Sequence, residues 1–252
     1  MPEIAWWNGR LVPRAEVAIS PDDEGFRFGD GLFETLRVDG GVANDIDAHL
    51  DRLFASLPRI ALELPEDRSA LEQAIAEIAT AAPRPCARLR LTVTRGTPTD
   101  GPTRLIEAFP YTPPDPNGLL KVVLIPDIRI DSHGPLAGLK SLSYQANRLA
   151  HARAAALGAD EAILLNERGE LCEGSRSNLA LRLDGKWLTP PLRSGCLPGT
   201  VRRRRIERGE IEERDLLPED VDRAEGIEMM NSLWGVVAGR RIGKGGRGVP
   251  AQ

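Results

Sequence analysis

Lysine is scarce in this chain. Of 33 basic residues only four are lysines: Lys121, Lys140, Lys186 and Lys244. Arginine stays protonated and cannot form an imine, whereas a lysine amine can once it has lost its proton. Carbonyl chemistry therefore has four candidate residues. Lys121 stands in an apolar stretch, Lys186 in a hairpin turn and Lys244 in a glycine-rich tail. Lys140 alone falls at an expected strand–loop–helix transition, Gly138-Leu139-Lys140-Ser141-Leu142-Ser143-Tyr144. Such a transition can present a side chain at a cleft, but position alone does not separate this from a surface lysine in a loop.

Three other groupings could do chemistry beside such an amine. Leu171-Cys172-Glu173-Gly174-Ser175-Arg176-Ser177-Asn178 reads as a turn of small residues between two strands. A carboxylate there could meet the ring nitrogen of a cofactor while the small residues let the ring approach the backbone. Leu197-Pro198-Gly199-Thr200-Val201-Arg202 reads as a loop entering a helix, and the free N–H groups and dipole of a helix start make an anion site. Arg52 could add a fixed charge for the same anion. It follows His49 by three residues, which puts both on one helix face. Taken singly, these are also a common turn, a helix cap and a surface arginine.

The elements that must position these residues follow from periodicity. Strands are expected at Ile4–Trp7, at Glu16–Ser20 and, alternating apolar and polar, through Leu32–Val38 and Leu89–Val93. Ile46, Leu50, Leu53, Leu57 and Ile60 recur at helical spacing, with Pro58 ending or kinking that helix, and residues 67–82 read as a second helix. The stretch from Tyr111 to Gly118 holds three prolines and a glycine, which suits neither helix nor central strand. Beyond it come a buried strand at Leu119–Ile125, an alanine-rich helix at Gln145–Leu157, and strands at Ala162–Leu165, Asn178–Leu183 and Lys186–Leu188. The expected organisation is a smaller α+β domain over residues 1–112, a linker over 113–118, a larger α/β domain over 119–240 that carries Lys140, and a flexible tail over 241–252.

Composition narrows the partners. A net charge of -4 argues against nucleic acid, and the run Arg202-Arg203-Arg204-Arg205 reads as the solvated face of a short helix. No apolar run reaches the ~18 residues of a membrane span. The N-terminal stretch Met1–Trp7 has neither the basic start nor the apolar core of a signal peptide, so a cytoplasmic location is expected. Cys86, Cys172 and Cys196, like the three histidines, are dispersed, which indicates neither a disulfide framework nor a metal site.

Read in order, five stretches resemble one family. They are Phe28-Gly29-Asp30-Gly31-Leu32-Phe33-Glu34-Thr35, His49-Leu50-Asp51-Arg52-Leu53, Leu139-Lys140-Ser141-Leu142, Glu173-Gly174-Ser175-Arg176-Ser177-Asn178-Leu179, and Leu197-Pro198-Gly199-Thr200-Val201-Arg202. Their order and spacing, over about Trp7 to Val237, resemble the class IV aminotransferases, which include branched-chain and D-amino-acid aminotransferases and 4-amino-4-deoxychorismate lyase. The resemblance implies an α+β, two-domain fold-type IV enzyme, similar to D-amino-acid aminotransferase, that uses pyridoxal 5'-phosphate. It implies a homodimer whose active site lies between the domains, with a contribution from the second subunit.

The resemblance also implies roles. Lys140 would hold the cofactor as an imine and move protons. Glu173 would keep the pyridine nitrogen protonated. Arg52, the N–H groups of Thr200 and Val201, and the turn with Ser232 and Leu233 would hold the phosphate. Phe33, Arg95 and Asn231 would meet substrate, Arg95 in the partner's site. Ser143 stands where the family often has asparagine, Gly199-Thr200-Val201-Arg202 replaces Gly-Ile-Thr-Arg, and Phe33 replaces a tyrosine of some aminotransferases. Ser141-Leu142-Ser143-Tyr144 and Asn231-Ser232-Leu233 resemble the lyases, although Trp234 takes the place of an arginine there. The expected activity is the lyase reaction that releases pyruvate and 4-aminobenzoate, a folate precursor. The alternatives are an aminotransferase for branched-chain or D-amino acids and a non-catalytic binding relative, which would have lost Lys140 or Glu173.

Overall fold

A computed structural model describes residues 3–243. The chain divides into two compact units. The first holds the described residues up to Pro113 together with Leu139–Tyr144; the second holds Pro114–Gly138 and the described residues from Gln145 onward.

In the first unit, β1 (Ile4–Trp7) turns at Asn8 and Gly9, both at positive φ, into β2 (Arg10–Pro13). Such a two-residue turn matches the twist of a hairpin. A single 3-10 turn, Arg14–Glu16, follows β2, and residues 17–20, expected with Glu16 as a strand, form no regular element. Next come α1 (Glu24–Phe28), β3 (Gly31–Asp39), β4 (Val42–Ala43), α2 (Ile46–Ser56), α3 (Arg68–Thr80), β5 (Cys86–Thr94) and β6 (Arg104–Pro110). Pro58 ends the α2 helix in a 3-10 turn, as its ring requires. The strands form one sheet in the order β2-β1-β6-β5-β3-β4.

Strand period decides which side chains meet. Leu32, Glu34, Leu36 and Val38 of β3 face with Leu89, Leu91 and Val93 of β5 toward Leu50, Leu53, Leu71 and Ile75 of the helices, and these apolar residues make the core. The opposite face of the sheet pairs Phe33 with Thr92, Thr35 with Arg90 and Arg37 with Arg88.

The sheet edge explains an unexpected placement. β4 pairs only with Val38 and Asp39, so the first half of β3 has an open edge. Leu139–Tyr144 fills it: the Phe33 N–H donates to the Lys140 carbonyl at 2.9 Å and the Leu142 N–H to the Gly31 carbonyl at 2.9 Å. Lys140 thus packs with the first unit, although it is flanked in sequence by the second. Unmet backbone groups on a strand edge attract such a segment.

The second unit contains β7 (Leu119–Ile130), α4 (Gln145–Ala156), β8 (Glu161–Asn166), β9 (Leu171–Gly174), β10 (Asn178–Leu183), β11 (Lys186–Thr189), α5 (Thr200–Glu207), β12 (Glu212–Glu213), α6 (Pro218–Arg223), β13 (Gly226–Asn231) and β14 (Gly235–Arg241). Its sheet runs β12-β11-β10-β13-β14-β7-β8-β9, with β7 parallel to both neighbours. Val122, Ile163, Leu165, Leu179, Leu181 and Met229 form its core. The arginine run does lie on a short helix, α5, but its face is not simply solvated. Arg202 is 3% exposed and donates to the Pro190 carbonyl and Glu213, and Arg205 donates to Glu210 and Glu228. Carboxylates on β12 and β13 draw these guanidinium groups inward. No helix among the described residues is long and apolar enough to cross a membrane. Lys244 and most of the expected tail lie outside the described residues.

Candidate active site

In the first unit, the chemistry gathers around one ring. Phe33, 5% exposed on β3, has the Lys140 Nζ 4.5 Å from its centroid and the Arg90 guanidinium 3.9 Å from it, and the Tyr144 ring meets it edge-on at 5.4 Å. Two glycines permit this. Gly29, at φ 71°, closes α1, and Ser143 lies against it. At Gly31 an added Cβ would lie 2.2 Å from the Val93 carbonyl oxygen and 2.8 Å from Leu142.

Sequence reasoning missed Arg90, because an arginine alternating with leucines in a strand looks like a solvent-facing residue. Its Nε donates to Thr92 Oγ1, and among the described residues it forms no ion pair. Burial and the nearby Arg88 charge lower its pKa. Arginine nonetheless remains charged in proteins. A half-buried guanidinium without a carboxylate is a natural receptor for an anionic ligand.

On the helix side of the same sheet, Glu34 is buried between two residues of α2. His49 Nδ1 lies 2.6 Å from Oε2, and Arg52 bonds both oxygens, Nε at 2.8 Å and Nη2 at 2.6 Å. Burial would raise the Glu34 pKa, but the charges and hydrogen bonds of Arg52 and His49 overrule it and hold the group well below the usual carboxylate range. This locks the Arg52 guanidinium in place.

Arg95 is committed elsewhere. Its Nε and Nη2 donate to Asp30, at 2.6 and 3.3 Å, while Nη1 and Nη2 donate to the carbonyls of Ala61 and Ile60. These bonds tie the end of β5 to its own unit.

In the second unit, Glu173 stands inside β9, where the sequence had suggested a turn, and its Oε2 accepts the Leu197 N–H at 2.8 Å. The loop that follows is shaped by Glu161, a fully buried carboxylate that accepts from the Ser175 N–H and from the hydroxyls of Ser175 and Ser177. The neighbouring thiols of Cys172 and Cys196 are raised by burial first and by the Glu173 charge second, Cys196 to about 11. Neither is a nucleophile at neutral pH.

The start of α5 has the makings of an anion cradle. No side chain caps it, and its first N–H groups, those of Thr200 and Val201 among them, have no acceptor within the helix. The Thr200 hydroxyl is buried without a hydrogen-bond partner. At Gly199 an added Cβ would fall 2.0 Å from Asn178 Oδ1, so the backbone approaches as only glycine allows. An orphaned hydroxyl, open N–H groups and a helix dipole fit a phosphate monoester.

The turn between β13 and β14 is less available than expected. Asn231 Oδ1 accepts the N–H groups of Leu233 and Trp234, and its Nδ2 donates to the Arg176 carbonyl at 3.1 Å. Asn231 thus shapes the turn, and the Leu233 N–H is already bonded there. Ser232 lies in the same turn.

The structure therefore brings Lys140 to Phe33, Arg52 to Glu34, Glu173 to Leu197, and Thr200 and Val201 to one helix start.

Comparison with known proteins places this arrangement. The family model for class IV amino-transferases matches residues 31–242. A D-alanine aminotransferase of Bacillus licheniformis is 30% identical over 207 residues, 78% of this chain and 71% of that protein. An aminodeoxychorismate lyase of Bacillus subtilis is 30% identical over 213 residues, 79% of this chain and 71% of that protein. A hypothetical aminotransferase from Mycobacterium tuberculosis, solved in its PLP-bound form, superposes with a TM-score of 0.81 at 26% identity, covering 93% of this chain and 89% of that one. This chain belongs to the class IV aminotransferase family: it is a fold-type IV enzyme, of aminotransferase or lyase type, and its cofactor is pyridoxal phosphate.

Proposed function

We propose that this class IV enzyme is a lyase that converts 4-amino-4-deoxychorismate to pyruvate and 4-aminobenzoate. The observation that carries the reading is the company Lys140 keeps. Its amine lies over the Phe33 ring, which also meets the Tyr144 ring and an Arg90 guanidinium that forms no ion pair among the described residues. Such a setting suits a flat, cyclic carboxylate better than a small aliphatic amino acid. The Bacillus subtilis lyase relative supports the same choice.

In this reading, Arg52, held by Glu34, and the start of α5 at Thr200 and Val201 bind the cofactor phosphate, and Ser232 completes the cradle. Glu173, fixed by the Leu197 N–H, faces the ring nitrogen and favours its protonated form. When bound, pyridoxal phosphate supplies a sink for the electrons left as the C–H bond beside the substrate amine breaks. The Lys140 amine takes that proton from the amine-bearing ring carbon. The bond between the neighbouring ring carbon and the ether oxygen breaks, and the six-membered ring becomes aromatic. The Lys140 ammonium returns the proton to the methylene carbon of the departing enolpyruvyl group, which leaves as pyruvate. Phe33 and Arg90 orient the substrate's ring and carboxylate. The reading includes a homodimer acting in the cytoplasm, with 4-aminobenzoate passing to folate synthesis.

A second reading, amino transfer from D- or branched-chain amino acids, is favoured by the equal identity to the D-alanine aminotransferase. One incubation separates the two. With 4-amino-4-deoxychorismate and no 2-oxo acid, the lyase releases equal amounts of pyruvate and fluorescent 4-aminobenzoate. If neither product forms, while D-alanine or a branched-chain amino acid reacts with 2-oxoglutarate, the lyase assignment fails.

A further inference from the structure

We propose that Arg88 is a second carboxylate receptor beside Arg90, so that the enzyme selects a substrate carrying two carboxylates on one flat ring system. The proposal rests on the reading in which Phe33 and Arg90 orient the substrate, and adds its second anionic group. It does not depend on which bond is then broken.

Arg88 and Arg90 stand two residues apart on β5, on the face of the sheet opposite the core. Alternate residues of a strand point the same way and lie roughly 7 Å apart. Each guanidinium lies over an aromatic ring from a neighbouring strand. Arg90 is 3.9 Å from the centroid of Phe33 on β3, and Arg88 is 5.6 Å from that of Phe109, its direct partner on β6. Such stacking holds the planar group while N–H donors along its edge stay able to meet an oxygen anion.

The carboxylates of this face are committed elsewhere. On β6, Glu107 stands opposite Arg90, but its Oε1 accepts from Arg14 Nε at 2.6 Å. On β3, Asp39 accepts from Arg37 Nε at 2.9 Å and from Asn44 Nδ2 at 2.8 Å. Of the four guanidinium groups here, those of Arg14 and Arg37 are thus matched. Neither Arg88 nor Arg90 forms an ion pair among the described residues. Two like charges near one another on a strand are unfavourable until an anion joins them. One carboxylate at Arg90 leaves Arg88 unmatched, whereas a second, carried on a short arm from the same ring, reaches it. A ring carboxylate and an ether-linked carboxylate, the pair present in 4-amino-4-deoxychorismate, have this spacing; a small amino acid with a single carboxylate does not.

The test is calorimetric binding of two unreactive ring acids to the holoprotein. One is 3-(carboxymethoxy)benzoate, with two carboxylates, and the other is 3-methoxybenzoate, with one. Neither has an amine, so no turnover enters. The dicarboxylate should bind at least about tenfold tighter, the order of one charge-assisted pair. Arg88 is exposed, so its substitution leaves the fold intact. Arg88→Gln should remove most of the preference while 3-methoxybenzoate binds as before, and Arg88→Glu should reverse it. Arg84→Gln, which removes another exposed arginine just before β5, should leave the preference unchanged. No preference in the unaltered protein, a preference that survives Arg88→Gln, or an equal loss in Arg84→Gln overturns the proposal. Arg90→Gln should weaken both acids at least about tenfold; if it weakens neither, the reading that Arg90 meets substrate fails and this proposal with it. A preference that disappears in Arg88→Gln supports the proposal even where the lyase products do not form.

Discussion

Glu34 is a buried charge whose two partners, His49 and Arg52, lie one turn apart on α2. Its pKa in the folded chain lies well below the ordinary glutamate value of 4.5. A carboxyl with a depressed folded pKa stabilises the fold fully above its unfolded pKa, and that contribution disappears as pH falls toward the folded value. Thermal stability should therefore decline below about pH 4.5, and Glu34→Gln should flatten that decline. Removing one partner of a buried pair costs about 3–5 kcal/mol, so the same variant should melt markedly lower at pH 7. If Arg52 holds the cofactor phosphate, Glu34→Gln and Arg52→Ala should each weaken pyridoxal phosphate binding at least about tenfold, as expected for the loss of a charge-assisted contact, measured by titrating the apo-protein. Glu173→Ala should still take up cofactor on Lys140 but lose about a hundredfold or more in turnover. Unaltered kinetics would remove its role at the ring nitrogen.

At the scale of elements, the parts legible in the sequence were those where period and local chemistry agree. The apolar spacing of Leu50 and Leu53, and of Leu71, Ile75 and Ile78, gave α2 and α3, and Pro58 marked where the first of them stops. The five stretches with family-like residues fall on β3, α2, the Lys140 segment, β9 with its loop, and the start of α5. What periodicity does not carry is who pairs with whom. Nothing local says that residues 139–144 leave their neighbours to fill the β3 edge, that Arg95 is consumed by Asp30 and two carbonyls, or that Arg90 turns onto Phe33. Glycine at 31 is the hinge of that pairing. Gly31→Ala would set a methyl against the Val93 carbonyl and Leu142, and overpacking of this kind costs about 1–3 kcal/mol. A lower melting temperature together with slower cofactor uptake is expected, whereas Gly101→Ala, which meets nothing within 4 Å but sits at φ 71°, should cost stability alone.

Across the whole molecule, the chain passes from the first unit to the second after Pro113, returns at Leu139 and leaves again after Tyr144. A cut in the proline-rich linker therefore does not sever every tie, because residues 139–144 stay attached to the later part of the chain while bonded to β3. With a specific protease site inserted between Pro116 and Asn117, the nicked protein should show two pieces on a denaturing gel yet co-elute with its cofactor. Separation of the pieces on nicking would mean that this strand-edge pairing is too weak to matter. The claim on which the rest depends is that the Lys140 amine carries the aldehyde, and borohydride reduction of the holoprotein followed by peptide mapping tests it most directly. The account predicts a pyridoxyl label on Lys140 and none in Lys140→Ala; a label on Lys121, Lys186 or Lys244 would contradict it.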